Sequence, residues 1–317
     1  MAEPKCVVCT VADGNYMFGV AGIINSLVAA NFSGDVVIGR RGDAPSWWSQ
    51  LEATDQPDRR KLSDTIYVSL RTIRDDWHPS NTKPFFVQEL LSELTHEDSS
   101  VFYIDTDIVV TGQWSVLLDW TRHGVLLCAD VADSAMPPEH VFRRAWADLA
   151  EAAGYPTMRA VTGYFNAGFI GLRKRHARFV STWCDLMNAL ERSGAPMLKM
   201  KVSDIRIEFS RMDQDMLNAA AMASDAPLAT LGPQAMGLFP WVGEIIPHAM
   251  FHAKPWARNY VWSAIRGFAP GRAHLAYWNY VDGPIRPFGS ATLLRKKLLL
   301  RLGRLISLLH KRGLNDL

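Results

Sequence analysis

Short apolar runs of strand length alternate along this chain with longer stretches of helical apolar spacing. Lys5–Val11 reads as a first buried strand, Tyr16–Ala30 as a helix and Asp35–Gly39 as a second short strand. From there to about Pro57 the chain is loop-like, rich in Trp, Ser, Asp and Pro. Asp64–Leu70 reads as a strand, and Pro84–Leu94 as a helix closed by the polar Thr95–Ser100. Val101–Ile104 is a compact apolar strand that runs straight into Asp105-Thr106-Asp107. Val125–Cys128 is a strand ending near Asp130, and helices over His140–Ala153 and Lys174–Arg192 flank a strand at Ala167–Leu172. A further helix runs from Asp213 to Met222. This alternation predicts an α/β fold with a mostly parallel sheet and helices on its faces. With no internal repeat and no low-complexity linker, residues 1–270 read as one main domain and 271–317 as a C-terminal extension.

Composition narrows the picture. The chain has 317 residues, 48% hydrophobic and 21% charged, enough apolar material for a sizeable core. No hydrophobic leader follows Met1, and no apolar stretch reaches the roughly 18–20 residues of a membrane span, so a cytosolic protein is expected. A net charge of +2 gives no reason to expect nucleic acid as a partner. The charge is unevenly placed. Residues 291–317 hold seven Lys or Arg against the single acid Asp316, a local +6 that leaves −4 for the rest (+2 less +6). Over 293–312 these basic residues alternate with Leu at helical spacing, with Lys297, Arg301, Arg304 and Lys311 along one face. Leu298, Leu299, Leu302, Leu305, Ile306 and Leu309 lie largely across from them. Such a helix reads as an interfacial anchor to an anionic membrane surface, which would place the protein peripherally on the inner face of the cytoplasmic membrane. The plain alternative is a helix packed on the main domain with a solvated basic face. Cys6 and Cys9 have redox or zinc spacing but share one strand, where positions i and i+3 face opposite sides. They are expected, with Cys128 and Cys184, to be reduced and buried.

The candidate chemistry starts at Asp105 and Asp107. Alternate residues of an extended segment face the same way, so both carboxylates can converge on one cation. Two adjacent carboxylates repel unless a proton or a metal intervenes, and a hard divalent ion suits oxygen ligands. The ends of parallel strands are where open α/β sheets bind ligands.

Several ordered blocks over residues 5–256 resemble the retaining GT-A glycosyltransferases that include glycogenin and the bacterial lipopolysaccharide galactosyltransferases. Val8-Cys-Thr-Val-Ala-Asp-Gly-Asn-Tyr16 resembles the family's first strand and nucleotide loop. That match implies Val11, Asp13, Asn15 and Tyr16 around the nucleobase and ribose, with Tyr16 stacking. Asn81-Thr-Lys83 resembles the block that sets a lysine beside the donor phosphates, and Asp105 and Asp107 match the metal-binding aspartates. Tyr164-Phe-Asn-Ala-Gly168 resembles the block that contacts the donor sugar through Asn166 and Ala167. Asp213-Gln-Asp215 resembles the block at the reacting carbon, where Gln214, Asp213 and Asp215 would stabilise positive charge. Asp130 resembles an acceptor-side residue, and His252-Ala-Lys-Pro-Trp256 the closing loop, with His252 completing the metal shell and Lys254 neutralising diphosphate. The resemblance implies a hexose moved from a UDP-sugar to a glycan or lipid-linked glycan acceptor, with Mn²⁺ or Mg²⁺ as cofactor and retention of configuration.

One departure bears on the metal. The family's histidine usually stands six residues before the lysine, with a Gly between. Here His248 has that distance to Lys254, but Phe251 stands where the Gly belongs. His252 directly follows Met250-Phe251, a strand end from which a ligand can leave, so it is the expected ligand and His248 its competitor. Two other readings compete with the enzyme. Asp105-Thr-Asp-Ile-Val109 also fits a haloacid dehalogenase-type phosphatase with Asp105 as nucleophile, although about 100 residues precede it and the later blocks go unexplained. A non-catalytic sugar-nucleotide-binding module would have no need of the whole residue set. Trp47 and Trp48 stand either as core residues or as platforms for sugar rings.

Overall fold

The computed structural model describes residues 3–131, 136–200, 208–238, 244–250 and 253–315. In chain order the elements are β1 (Cys6–Ala12), α1 (Met17–Ala29), β2 (Gly34–Arg40), β3 (Glu52–Ala53), β4 (Arg59–Ser63), β5 (Ile66–Thr72), α2 (Lys83–Glu93) and β6 (Ser100–Ile104). They continue with α3 (Trp114–Trp120), β7 (Val125–Ala129), α4 (Val141–Ala152), β8 (Phe165–Arg173), α5 (Ala177–Arg192), α6 (Met212–Ala223) and β9 (Leu228–Leu231). Three helices, α7 (Tyr260–Ile265), α8 (Arg272–Tyr280) and α9 (Ser290–Asn315), complete the chain.

One nine-stranded sheet has the order β3-β4-β5-β2-β1-β6-β8-β7-β9. The expected α/β architecture is present, and the contiguous ladder β5-β2-β1-β6 is parallel throughout. Beyond it the sheet is mixed, because β8 inserts antiparallel between β6 and β7. β3 and β4 form an antiparallel edge against β5.

Alternation along β1 shows how the sheet feeds two cores. Val7, Cys9 and Val11 join the layer made with α2, α4, α5 and α6, whereas Val8 and Ala12 join the layer made with α1 and α3. Cys6 and Cys9 accordingly pack into opposite layers, as their spacing predicts, and all four cysteines are unpaired. Burial pushes the Cys6 and Cys128 thiols up to about 12, which leaves them inert as thiolates. Trp47 and Trp48 are buried in the α1 layer, with the Trp47 indole N–H donating to the Met17 carbonyl, so they belong to the core and offer no face to a sugar.

The segment after residue 270 is packed on the body. The Tyr277 hydroxyl donates to the Phe18 carbonyl at 3.0 Å, and the Asn25 amide exchanges two hydrogen bonds with the Ile285 backbone. Val109, Trp256, Tyr260, Tyr277, Trp278 and Leu300 form a third apolar cluster there. Gly303 of α9 lies so close to the Tyr260 carbonyl that a Cβ would stand 2.8 Å from it. Lys296 is half-buried and donates to the Trp256 and Arg258 carbonyls, and Lys297 pairs with Asp282. The outer face of α9 is not purely basic. Leu294, Leu298, Leu302, Leu305, Leu308 and Leu309 are exposed beside Arg295, Arg301 and Arg304, with Trp262, Ile265 and Phe268 also exposed. No helix among the described residues is long and apolar enough to cross a membrane.

Candidate functional site

Topology delivers the candidate residues to one sheet edge. β1, β2 and β6 end there, β7 runs with them, and β8 begins there. Asp13 after β1, Asp105 and Asp107 after β6, Asp130 after β7, and Asn166 and Ala167 at the start of β8 are therefore neighbours in space. A cleft of about 450 Å³ opens at this edge, lined by Val11, Asp13, Asn15, Tyr16, Tyr103, Asp105, Asp107 and Lys254, with His78, Ser80 and Met200 across from them.

Asp105, Asp107 and His248 each present a ligand atom, and these atoms lie within 4.8 Å of one another. His248 is placed by a β-bridge with Ile108, and its Nε2 stands 3.1 Å from Asp107 Oδ1. Its Nδ1 is buried with no hydrogen-bond partner among the described residues. Gly168 makes the space: a Cβ there would meet His248 Cε1 at 2.6 Å, Asn166 Oδ1 at 2.8 Å and Asp105 Oδ2 at 3.0 Å. Two carboxylates and an imidazole in a cradle that a single methyl group would fill suit a divalent cation. His252 lies outside the described residues; the histidine that stands at the pair is the competitor, His248.

Two lysines neutralise the carboxylates from opposite sides. Lys83, at the first turn of α2, is buried, with Nζ 3.1 Å from Asp105 Oδ1, 2.8 Å from Asp213 Oδ2 and 3.3 Å from the Ala167 carbonyl. Burial works against its charge, but Asp105 and Asp213 more than offset that and hold its pKa above the usual lysine value. Lys254 Nζ lies 2.5 Å from Asp107 Oδ2. Burial of Asp107 favours its neutral form, yet His248 and Lys254 hold it well below the ordinary carboxylate range. The Tyr103 hydroxyl donates to Asp105 Oδ1 at 2.9 Å. Tyr103 was not singled out in the sequence, although it stands two residues before Asp105 on a strand and so faces the same side.

Asp130, Asn166, Ala167 and Gln214 form one buried polar network. Asp130 Oδ2 accepts from Asn166 Nδ2 at 2.7 Å and from Gln214 Nε2 at 3.2 Å. Gln214 Oε1 accepts from the Ala167 N–H, and Asn166 Oδ1 from the Gly168 N–H. Asp13 Oδ1 accepts from the Arg41 N–H, which orients it at the cleft. Tyr16 is exposed there, edge-on to Trp256 at 5.7 Å.

Asp215 is turned elsewhere. Its two oxygens accept from the Tyr164 hydroxyl at 2.7 Å and the Arg211 N–H at 2.8 Å, so it ties the start of α6 to Tyr164 and does not face the cleft. Burial outweighs those hydrogen bonds and pushes its pKa up to about 7 from 3.8. A carboxyl group whose pKa rises on folding stabilises the fold fully below its unfolded value, and that contribution is lost as pH rises through the folded value. Relative to Asp215→Asn, the wild type is therefore expected to lose stability between about pH 4 and about pH 7. Urea midpoints of the two proteins at pH 5 and pH 8 check this, and an unchanged difference would contradict it.

No protein-family model matches the chain, and no curated protein matches it in sequence. Its fold matches solved glycosyltransferases. The bifunctional glycosyltransferase WbbM aligns with a TM-score of 0.53 at 13% identity, covering 93% of this chain and 52% of WbbM. GlyE of Streptococcus pneumoniae TIGR4 aligns with a TM-score of 0.53 at 16% identity, covering 95% of this chain and 64% of GlyE. The galactosyltransferase LgtC, solved with donor and acceptor sugar analogues, aligns with a TM-score of 0.52 at 13% identity, covering 90% of this chain and 98% of LgtC. The chain thus spans about half of WbbM, under two thirds of GlyE and nearly all of LgtC. It has the GT-A fold of these glycosyltransferases.

Proposed function

We propose that this chain is a metal-dependent glycosyltransferase that moves a hexose from a UDP-sugar to a glycan or lipid-linked glycan acceptor, with retention. The observation that carries this reading is the convergence of Asp105, Asp107 and His248 beside a cleft that Asp105 and Asp107 line together with Asp13, Asn15 and Tyr16. The shared fold with LgtC, solved with donor and acceptor sugar analogues, supports it.

A divalent cation held by Asp105, Asp107 and His248 would supply a Lewis acid for the departing diphosphate. Tyr16 offers its ring to the base, and Asp13, fixed by the Arg41 N–H, accepts from a base N–H. Lys254 reaches the diphosphate side of the cleft, and Lys83 holds Asp105 in place from beneath. Asn166, Asp130 and Gln214, locked to one another by hydrogen bonds, would form a rigid polar wall for the sugar, where preorganised dipoles lower a barrier most. Asp213 brings a carboxylate beside that wall, balanced by Lys83. The decisive assay is a panel of UDP-sugars with Mn²⁺, scoring UDP release and the anomeric configuration of the product. Turnover of a simple phosphate ester, with none of any UDP-sugar, would favour the phosphatase reading instead.

The exposed leucines of α9, flanked by Arg295, Arg301 and Arg304, support docking on an anionic bilayer, where each basic residue contributes about 1 kcal/mol. Removing the helix is a poor test, because its inner face supports the Trp256 and Arg258 carbonyls next to Lys254. Leu298→Asp with Leu305→Asp leaves that inner face intact. The double variant is expected to lose at least about tenfold in affinity for vesicles containing phosphatidylglycerol while UDP-sugar hydrolysis persists, since each buried apolar side chain contributes about 1.5–3 kcal/mol. Unchanged vesicle binding would rule the anchor out.

A further inference from the structure

The two lysines at the carboxylate pair differ in their freedom. Lys83 is held between Asp105 and Asp213 with its side chain 5% exposed, so it is a fixed part of the site. The Lys254 side chain is 28% exposed and grips a single carboxylate, Asp107, whose own side chain is 3% exposed. The backbone beneath Lys254 is tied down at several points. Its carbonyl accepts from the Ala257 and Arg258 N–H groups, and the next residue's carbonyl accepts from the Tyr260 hydroxyl. Trp256 is buried on the glycine face of α1, where a Cβ on Gly19 would stand 2.7 Å from its ring. Lys296 of α9 fixes the Trp256 carbonyl from the other side. The Lys254 side chain is therefore the least constrained part of this loop among the described residues.

We propose that Lys254 is an exchangeable counter-ion: its ammonium occupies Asp107 in competition with the divalent cation and leaves only when a nucleoside diphosphate offers it other oxygens. This rests on the glycosyltransferase reading and adds an order of assembly to it. Asp105, Asp107 and Asp213 carry three negative charges, and Lys83 and Lys254 return two positive ones, so the cluster is close to balanced as it stands. A divalent ion entering alone competes for Asp107 with an ammonium already in contact. With the diphosphate present, Lys254 moves to the phosphate oxygens and Asp107 becomes a full ligand. Metal and nucleotide then raise each other's affinity by the same factor, as linkage requires. The apparent affinity for metal alone is lowered by the fraction of molecules whose Asp107 is free.

The test measures Mn²⁺ binding by electron paramagnetic resonance titration, with and without UDP, on the wild type, Lys254→Met and Lys254→Arg. Methionine keeps the stem and removes the charge; arginine keeps the charge. Lys254→Met is expected to bind Mn²⁺ alone about tenfold tighter than the wild type, and to lose most of the enhancement that UDP confers. Lys254→Arg is expected to bind Mn²⁺ alone as weakly as the wild type does. A lysine that merely supports the loop would give the opposite sign in Lys254→Met, and equal or weaker Mn²⁺ binding in that variant overturns the proposal. The absence of Mn²⁺ binding in all three proteins, with or without UDP, is a different result: it would sink the glycosyltransferase reading itself.

Discussion

Asp107→Asn is expected to lower metal-dependent sugar transfer about 10²–10³-fold while leaving the unfolding temperature nearly unchanged. The size follows from what one lost electrostatic contact at a developing charge costs, about 3–4 kcal/mol, at 1.36 kcal/mol per factor of ten. The small effect on stability follows from the local geometry. Asp107 is buried and held ionised by His248 and Lys254. An asparagine keeps an oxygen toward either partner, removes a buried charge that is costly to desolvate, and releases Lys254, whose side chain already reaches solvent. Steady-state turnover with a UDP-sugar and saturating Mn²⁺, together with a thermal melt, checks both halves. Full turnover in this variant would remove Asp107 from the metal site and the metal from the mechanism. A collapsed melting temperature would mean that the residue serves the fold.

The fold class was legible because the strands that form the site are short, apolar and buried on both faces. β1, β2, β6 and β8 were each placed within about two residues by apolar runs alone. Several of the missed elements lacked that signal. β3 has two residues, β9 has four, and β4 reads Arg-Arg-Lys-Leu-Ser, an edge strand with little to bury. α7 and α8 mix aromatic and polar residues, and their burial comes from partners far along the chain, such as Phe18 for Tyr277 and Tyr260 for Trp278. The site was legible residue by residue where the chemistry follows strand ends, as at Asp13, Asp105 and Asn166. It was ambiguous where a loop decides. The strand-like run Met250-Phe251 favoured His252, which lies outside the described residues, whereas the six-residue spacing to Lys254 pointed to His248, whose bridge with Ile108 sets its imidazole beside Asp107. The roles within Asp213-Gln-Asp215 were equally invisible. In a helix, residues two apart point in different directions, so Asp213 reaches Lys83 while Asp215 reaches Tyr164. The basic tail was legible as a helix but not in its orientation, because Lys296 and Lys297 look like solvated charges until their partners on the body are seen.

Lys83→Met carries the largest expected cost to stability and separates the scaffold of the site from its chemistry. Among the described residues Lys83 is the only cation in contact with both Asp105 and Asp213, and its ammonium also caps the Ala167 carbonyl. Methionine fills much the same volume but leaves two carboxylates facing each other, with the Tyr103 hydroxyl as the sole donor remaining to Asp105 among the described contacts. Removing one partner of a buried ion pair costs about 3–5 kcal/mol, because the charge left behind is neither solvated nor matched. The urea midpoint should fall accordingly, and Mn²⁺-dependent transfer should be lost as Asp105 turns from its present seat. A second variant separates these effects. Lys83→Met with Asp213→Asn removes one carboxylate with the lysine, so the pair is expected to recover a large part of the stability and none of the activity. The coupling between the two substitutions then exceeds the 0.5 kcal/mol or so within which independent sites add. An unfolding midpoint in Lys83→Met equal to that of the wild type would mean that the ion pairs around Asp105 contribute nothing to holding the site. Strict additivity in the double variant would mean that Lys83 and Asp213 do not share a charge balance, and the rigid half of the cation arrangement at the cleft would have to be drawn again.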